Sequence, residues 1–199
     1  MARFLAGVAA ALVILVGGGA VLLLRGGLSA RPPPSGFEVA LARKVRLLAM
    51  PSRARDQRNP LAASERILTE GRAHFADHCA SCHGNDGSGR TDLGKNLYPR
   101  APDLRAPATQ DLTDGELFYV IENGIRFTGM PAWGGAAKPE ESWKLVHFVR
   151  HLPRLTDAER ADMERLNPRS PEEWRELEDE EQFLRGGEPP PREQGGHHH

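Results

Sequence analysis

Twenty-one consecutive uncharged, mainly apolar residues stand near the start of the chain, from Phe4 to Leu24, flanked by Arg3 and Arg25. At about 1.5 Å per residue such a run reaches about 30 Å as a helix, enough to cross a bilayer. It exceeds the apolar stretch of a cleaved export signal, and "GLSARPPP" offers only a poor small-x-small cleavage site. The pattern therefore predicts a retained single-pass anchor over residues 1–25. Arg25 and Arg31 lie beyond the run and blur its orientation.

The next pattern is shorter. After the stiff spacer "SARPPPSG", Phe37, Leu41, Val45 and Leu48 recur at helical spacing, with Arg43, Lys44 and Arg46 elsewhere on the turn. This predicts a basic amphipathic helix that packs on the following domain or lies on anionic lipid beside the anchor. "PSRARDQRNP" then reads as a Pro-bounded polar linker, completing a 26–60 connecting region.

From residue 61 the helical period returns. "SERILTEGRAHFADHC" sets Ile67, Gly71 and Phe75 on one face, and Gly71 suggests close helix contact. Asn85 to Leu104 is rich in Gly, Pro, Asn and Asp without a period, and reads as a long loop. "TDGELFYVIENG" opens with a Thr113/Glu116 capping box and stops at Gly124. "ESWKLVHFVRHLP" carries Leu145, Phe148, Val149 and Leu152 on one stripe before Pro153. Two charged helices follow, one capped by Thr156 and Glu159, the other starting at Ser170. They give a helical tail over 154–185 and a Pro/Gly-rich disordered end over 186–199, closed by His197 to His199. Strand alternation is absent, so the fold class is all-α.

Charge changes this picture only locally. The net charge of -1 gives no support to nucleic-acid binding. Residues 31–66 carry a net +5 and residues 156–185 a net −6, two surfaces suited to different surroundings.

Chemistry concentrates in "HCASCHG", residues 78–84, which holds both cysteines of the chain. A structural zinc site wants four ligands, and a second cysteine pair is missing. A thiol–disulfide site belongs beside a βαβ unit, whereas a helix precedes this motif and a loop follows. C-x-x-C-H is the signature of covalent haem attachment: Cys79 and Cys82 lie one helical turn apart, and His83 falls on the same side. A haem iron needs a sixth ligand. Met130, framed in the loop "TGMPAW", suits that role better than Met1, Met50 or Met163, and His74 and His78 are rival ligands. His147 and His151 fall opposite the apolar stripe and read as solvated.

Together "CASCHG", "YPRAPDL", "ENGIRFTGMPAW" and "WKLVHFVRHL" resemble class I c-type cytochromes, above all the membrane-anchored monohaem kind and the cytochrome c subunits of respiratory oxidases. The resemblance covers residues 61–153. It implies short helices and long loops around one haem c, thioethers to Cys79 and Cys82, and iron ligation by His83 and Met130. It further implies that the Pro102 carbonyl orients the His83 ring and that the helix of Gly71 and Phe75 crosses the last domain helix near Phe148. Because haem is attached to such proteins outside the cytoplasm, it implies a haem domain on the periplasmic side of a bacterial inner membrane. With both axial positions filled, the iron would carry electrons between redox partner proteins, such as membrane respiratory complexes, rather than catalyse. A haem enzyme or gas sensor with a labile methionine, and a fixed electron-entry subunit of a respiratory complex, are the alternatives.

Overall fold

Caps and apolar stripes of the kind just described become real helices. The computed structural model describes residues 1–26, 29–135 and 138–169, with 173, 175, 179 and 182–185 beyond them. Among these residues the chain is all-helical and forms no β-strand. Helix α1 (Ala2–Gly26) is followed by α2 (Gly36–Ala49) and the short α3 (Ser52–Arg55). Next, α4 (Glu65–His74) runs through a π-helical turn (Phe75–Cys79) into α5 (Ala80–His83). The short α6 (Asp92–Asn96) and α7 (Pro107–Gln110) precede α8 (Asp114–Asn123) and α9 (Pro139–His151). A 3-10 turn (Leu152–Arg154) leads to α10 (Asp157–Leu166).

The apolar window of α1, Ala2–Val21, is long enough to cross a membrane, and none of it is buried against the rest of the protein. It is compatible with a single-pass anchor.

The core is built where α4 crosses α9. Gly71 allows the approach: a Cβ there would stand 2.5 Å from the Lys144 carbonyl oxygen and 3.2 Å from the Phe148 Cβ. One turn on, the Phe75 and Phe148 rings pack at 5.2 Å, both fully buried. Leu117 and Ile121 of α8, Val146 and Leu152 complete the cluster, and Met163 of α10 joins it without exposed surface. Arg72 draws α10 in as well, lying 3.5 Å from Glu159 and 3.4 Å from Asp162. The capping boxes on Thr113 and Thr156 both form.

Three expectations need correction. First, the Phe37/Leu41/Val45/Leu48 stripe of α2 does not pack on the domain; all four side chains are exposed. The opposite face, with Val39, Arg46 and Leu47 half-buried and Met50 just beyond the helix end buried, turns inward. Second, Asn85 to Leu104 is not loop throughout. It contains α6, whose N-cap Thr91 accepts from the Gly94 N–H. A helix this short leaves no apolar period to read. Third, α9 is enclosed beyond a single stripe. Trp143 and Val146 are buried, His147 Nε2 lies 2.9 Å from the Leu61 carbonyl, and His151 Nε2 lies 2.8 Å from Glu159. Even Lys144 is buried, meeting Glu70 at 2.7 Å and Glu141 at 2.8 Å. The second tail helix lies largely outside the described residues, and 186–199 wholly so.

Gly71→Ala is expected to destabilise the fold by about 1–3 kcal/mol, because backbone on both sides must give way. Gly36→Ala, with nothing within 4 Å of the new Cβ, is the control and should be neutral or slightly stabilising. Urea unfolding followed by circular dichroism reads both; equal midpoints would mean that the α4/α9 crossing has slack.

Candidate functional site

The π-helical turn decides which side chains of the Cys–His motif face inward. The Ala80 N–H donates to the Phe75 carbonyl five residues back, so the turn holds one residue more than an α-turn. Such insertions recur at functional sites because they rotate the following helix face. Here Phe75 enters the core, and Cys79 and His83, one turn apart, stand on the wall of a cavity. Pro102, Met130 and Trp133 line the same cavity. The cavity encloses about 920 Å³ free of protein atoms, with its open side included. Leu104, Leu117, Ile121, Leu145 and Val149 make the lining mostly apolar.

Each chemical group is conditioned by that lining. Burial, then the neighbouring Cys82, pushes the Cys79 thiol up to about 12. This is the reverse of the lowered thiol that disulfide exchange requires. Burial also lowers the His83 imidazole pKa, with the Pro102 carbonyl opposing it, so the ring is held neutral, as a metal ligand must be. The carbonyl faces the ring without closing a full bond: Nδ1 has no hydrogen-bond partner among the described residues. Both cysteines are free and half-buried. Cys82 lies off the cavity lining, and its carbonyl accepts from the Thr91 hydroxyl at 3.1 Å.

Two loops hold the walls. On the His83 side the chain folds back on itself: Gly89 N–H donates to the His83 carbonyl at 2.7 Å, and Leu104 N–H to Gly87 at 2.8 Å. Ala101 N–H donates to Gly94 at 3.0 Å. On the Met130 side, Thr128 is the pin. Its hydroxyl donates to the Ile125 carbonyl at 2.7 Å and accepts from the Met130 N–H at 3.1 Å. The Met130 carbonyl accepts from Ile125 N–H at 3.1 Å. Gly124, at φ 63, starts this loop against the Met130–Ala132 backbone, leaving no room for a Cβ. Phe127 also adopts φ 63 and is 93% exposed, an outlier for an aromatic residue.

The rival ligands lie elsewhere. His74 and His78 pack on each other at 4.8 Å, and His78 meets the Trp133 ring edge-on at 5.3 Å. Met50 and Met163 are buried off the cavity. Among the described residues no three His, Cys, Asp or Glu side chains are grouped to hold a metal ion, so the zinc reading lacks its remaining ligands. Two lining residues escaped the sequence reading, Arg43 and Arg46 of α2. Their three-residue spacing on the face away from the apolar stripe was the available signal.

A haem c is a large, mainly apolar plate that needs two thiols, a nitrogen ligand and an apolar enclosure. The residues present fit it: Cys79, a neutral His83 and Met130 all line one apolar cavity, with Cys82 a turn away. Residues 67–149 match the family described as cytochrome c oxidase, cbb3-type, subunit III. Among solved structures, a reducing HAO-like protein complex of Kuenenia stuttgartiensis aligns at 22% identity and a TM-score of 0.43. That alignment covers 47% of this chain and 46% of the other, so the chain spans under half of that neighbour's length. No curated protein matches the chain. The C-x-x-C-H helix, the all-helical core and the family match over residues 67–149 are those of a class I c-type cytochrome domain, similar over that stretch to cbb3-type oxidase subunit III.

Proposed function

We propose that this protein is a membrane-tethered monohaem cytochrome that carries single electrons between redox partner proteins. In this reading Cys79 and Cys82 hold one haem c through thioethers, and His83 and Met130 supply the axial nitrogen and sulfur. The observation that carries it is the meeting of Cys79 and His83 with Met130, from two separate stretches of chain, around one apolar cavity. When bound, the haem iron supplies reversible one-electron chemistry, and a His/Met ligand pair raises its potential.

The chain's own residues then have defined tasks. Burial keeps His83 neutral and able to ligate, and the Pro102 carbonyl orients its ring. Thr128 and Gly124 hold the Met130 backbone, so the thioether is presented rather than left to search. Leu104, Leu117 and Val149 exclude water from the iron's surroundings. Phe127, exposed on the methionine loop, offers an apolar contact to a partner. Residues 1–25 anchor the chain in a bacterial inner membrane with the haem domain on the periplasmic side. The exposed Phe37/Leu41/Val45/Leu48 stripe, which begins eleven residues past the end of α1, suits the bilayer surface there. A second reading draws on the family match, whose description names an oxidase subunit: a fixed electron-entry subunit of a respiratory complex. Co-purification in mild detergent separates it from a free carrier.

Met130→Ala is expected to leave the haem covalently attached, lower the midpoint potential and open the iron to carbon monoxide. Redox and carbon monoxide titrations of both proteins read this. Ready carbon monoxide binding by the wild type would favour a sensor or enzyme. The double change Cys79→Ala and Cys82→Ala should abolish covalent haem on a haem-stained denaturing gel, and persistent staining would end the c-type reading. Replacing residues 1–26 by a cleavable export signal should release a soluble, haem-loaded protein. A product that still sediments with membranes would move the tether to the α2 stripe.

A further inference from the structure

Helix α2 lies upstream of the family-matched residues 67–149, yet Arg43 and Arg46 line the same cavity as Cys79, His83 and Met130. The helix is fastened at both ends. In its first turn Glu38 accepts a hydrogen bond from the Tyr98 hydroxyl at 3.0 Å, and Ser35 closes a capping box beneath it. Beyond its last turn Met50 and Ala54 are buried. The Thr113 hydroxyl donates to the Arg55 carbonyl at 3.1 Å, and the Arg55 guanidinium lies 3.6 Å from Glu116. Gly115 makes that seat close, since a Cβ there would overlap the Ala54 carbonyl oxygen. So α2 is not a loose arm beside the domain. It is one side of the cavity.

The arginines it brings are poorly matched to an apolar wall. Arg46 is half-buried, and its Nε is sealed from solvent with no hydrogen-bond partner among the described residues. Burial lowers its pKa, Arg43 adds to that, and Glu116 opposes both. Glu116 is already committed, accepting the Thr113 N–H at 2.8 Å and facing Arg55. A guanidinium does not escape by losing its proton. A partly buried cation beside a second cation is costly unless an anion meets it. The other lining residues are mostly apolar and include no carboxylate, so the anion must belong to what the cavity holds. A haem fits that demand, because it carries two carboxylates on an otherwise apolar plate. Guanidinium groups pair with carboxylates through two parallel hydrogen bonds.

We propose that α2 is a clasp on the cofactor, in which Arg43 and Arg46 pair with the two haem carboxylates and so join the membrane-proximal segment to the haem itself. The inference rests on the haem reading above. It assigns cofactor binding to a segment outside the family match, and makes α2 part of the holoprotein's redox site rather than a spacer. Removing a guanidinium would leave a carboxylate uncompensated, which favours the ferric over the ferrous iron. The midpoint potential should therefore fall.

The test uses the full chain in mild detergent, with haem attachment scored first by absorbance and haem stain. Redox titration then compares Arg46→Gln and the double change Arg43→Gln with Arg46→Gln against wild type. Lys44→Gln removes the same charge from an exposed position of the same helix, off the cavity. Arg46→Lys keeps the charge. The expected result is a lower potential in Arg46→Gln, lower still in the double variant, with Lys44→Gln near wild type and Arg46→Lys largely restored. Trypsin should also cut after Lys44 several-fold faster in the double variant, as the clasp opens. A haem-loaded double variant at the wild-type potential would overturn the proposal. So would an equal fall in Lys44→Gln, which would mean a general surface charge. If the glutamine variants come out without haem, Arg46→Lys decides: haem retained at a near-wild-type potential supports the clasp, and haem lost overturns it. Wild-type protein without covalent haem would instead sink the cytochrome reading, a different failure.

Discussion

The crossing of α4 and α9 at Gly71 is the contact on which the haem domain is hung. With no Cβ at Gly71, the two backbones meet at the Lys144 carbonyl, and the Phe75/Phe148 pair packs one turn further on. Everything with chemistry follows from that fixed point. The π-helical turn begins at Phe75, so the depth to which this ring is driven sets where Cys79 and His83 emerge. On the other partner, α9 holds the far wall through Arg150, which donates to Asp114 at 2.9 Å and to the Gln110 and Leu112 carbonyls. The loop after α8 then carries Met130 to the cavity from a separate stretch of chain. Two helices held at a short distance thus position two candidate ligands, His83 and Met130, that lie 47 residues apart in sequence.

An apolar cavity lined by Leu104, Leu117, Ile121, Leu145 and Val149 leaves those side chains without packing partners on one side until an apolar body fills it. The polar groups at its wall repeat the point. A neutral histidine with an unpartnered Nδ1, a thiol raised by burial and a half-buried guanidinium are each unfavourable as free side chains. In the proposed haem reading, each side chain would meet one part of that group: the imidazole the iron, the thiol a vinyl carbon and the guanidinium a carboxylate.

The elements that could be read from the sequence are those long enough to carry a period or a cap. The apolar window of α1, the stripes of α4 and α9, and the boxes at Thr113 and Thr156 were legible for that reason. The candidate ligands were legible too, because C-x-x-C-H has a fixed spacing and Met130 stands between glycine and proline. The short helices α3 and α6, of four and five residues, were not. A helix that short cannot repay its own nucleation and exists only because neighbours hold it, as Thr113 and Glu116 hold Arg55.

Helix α2 marks the boundary most clearly. Its sequence determined that it would be a helix with an apolar and a basic face, and it determined nothing about which face meets the domain. A stripe of Phe37, Leu41, Val45 and Leu48 is an equal match for a protein core or a membrane surface, since both are apolar. The seat of Met50 and Ala54 on α8 and the contact of Glu38 with Tyr98 decided it, turning the arginines to the cavity. Residue type and spacing thus determined the C-x-x-C-H motif, the helical class and an apolar helix long enough to cross a membrane, because these depend on near neighbours in the chain. Orientation, and with it the company kept by Arg43 and Arg46, depends on contacts between segments far apart in sequence, which only the tertiary structure brings together.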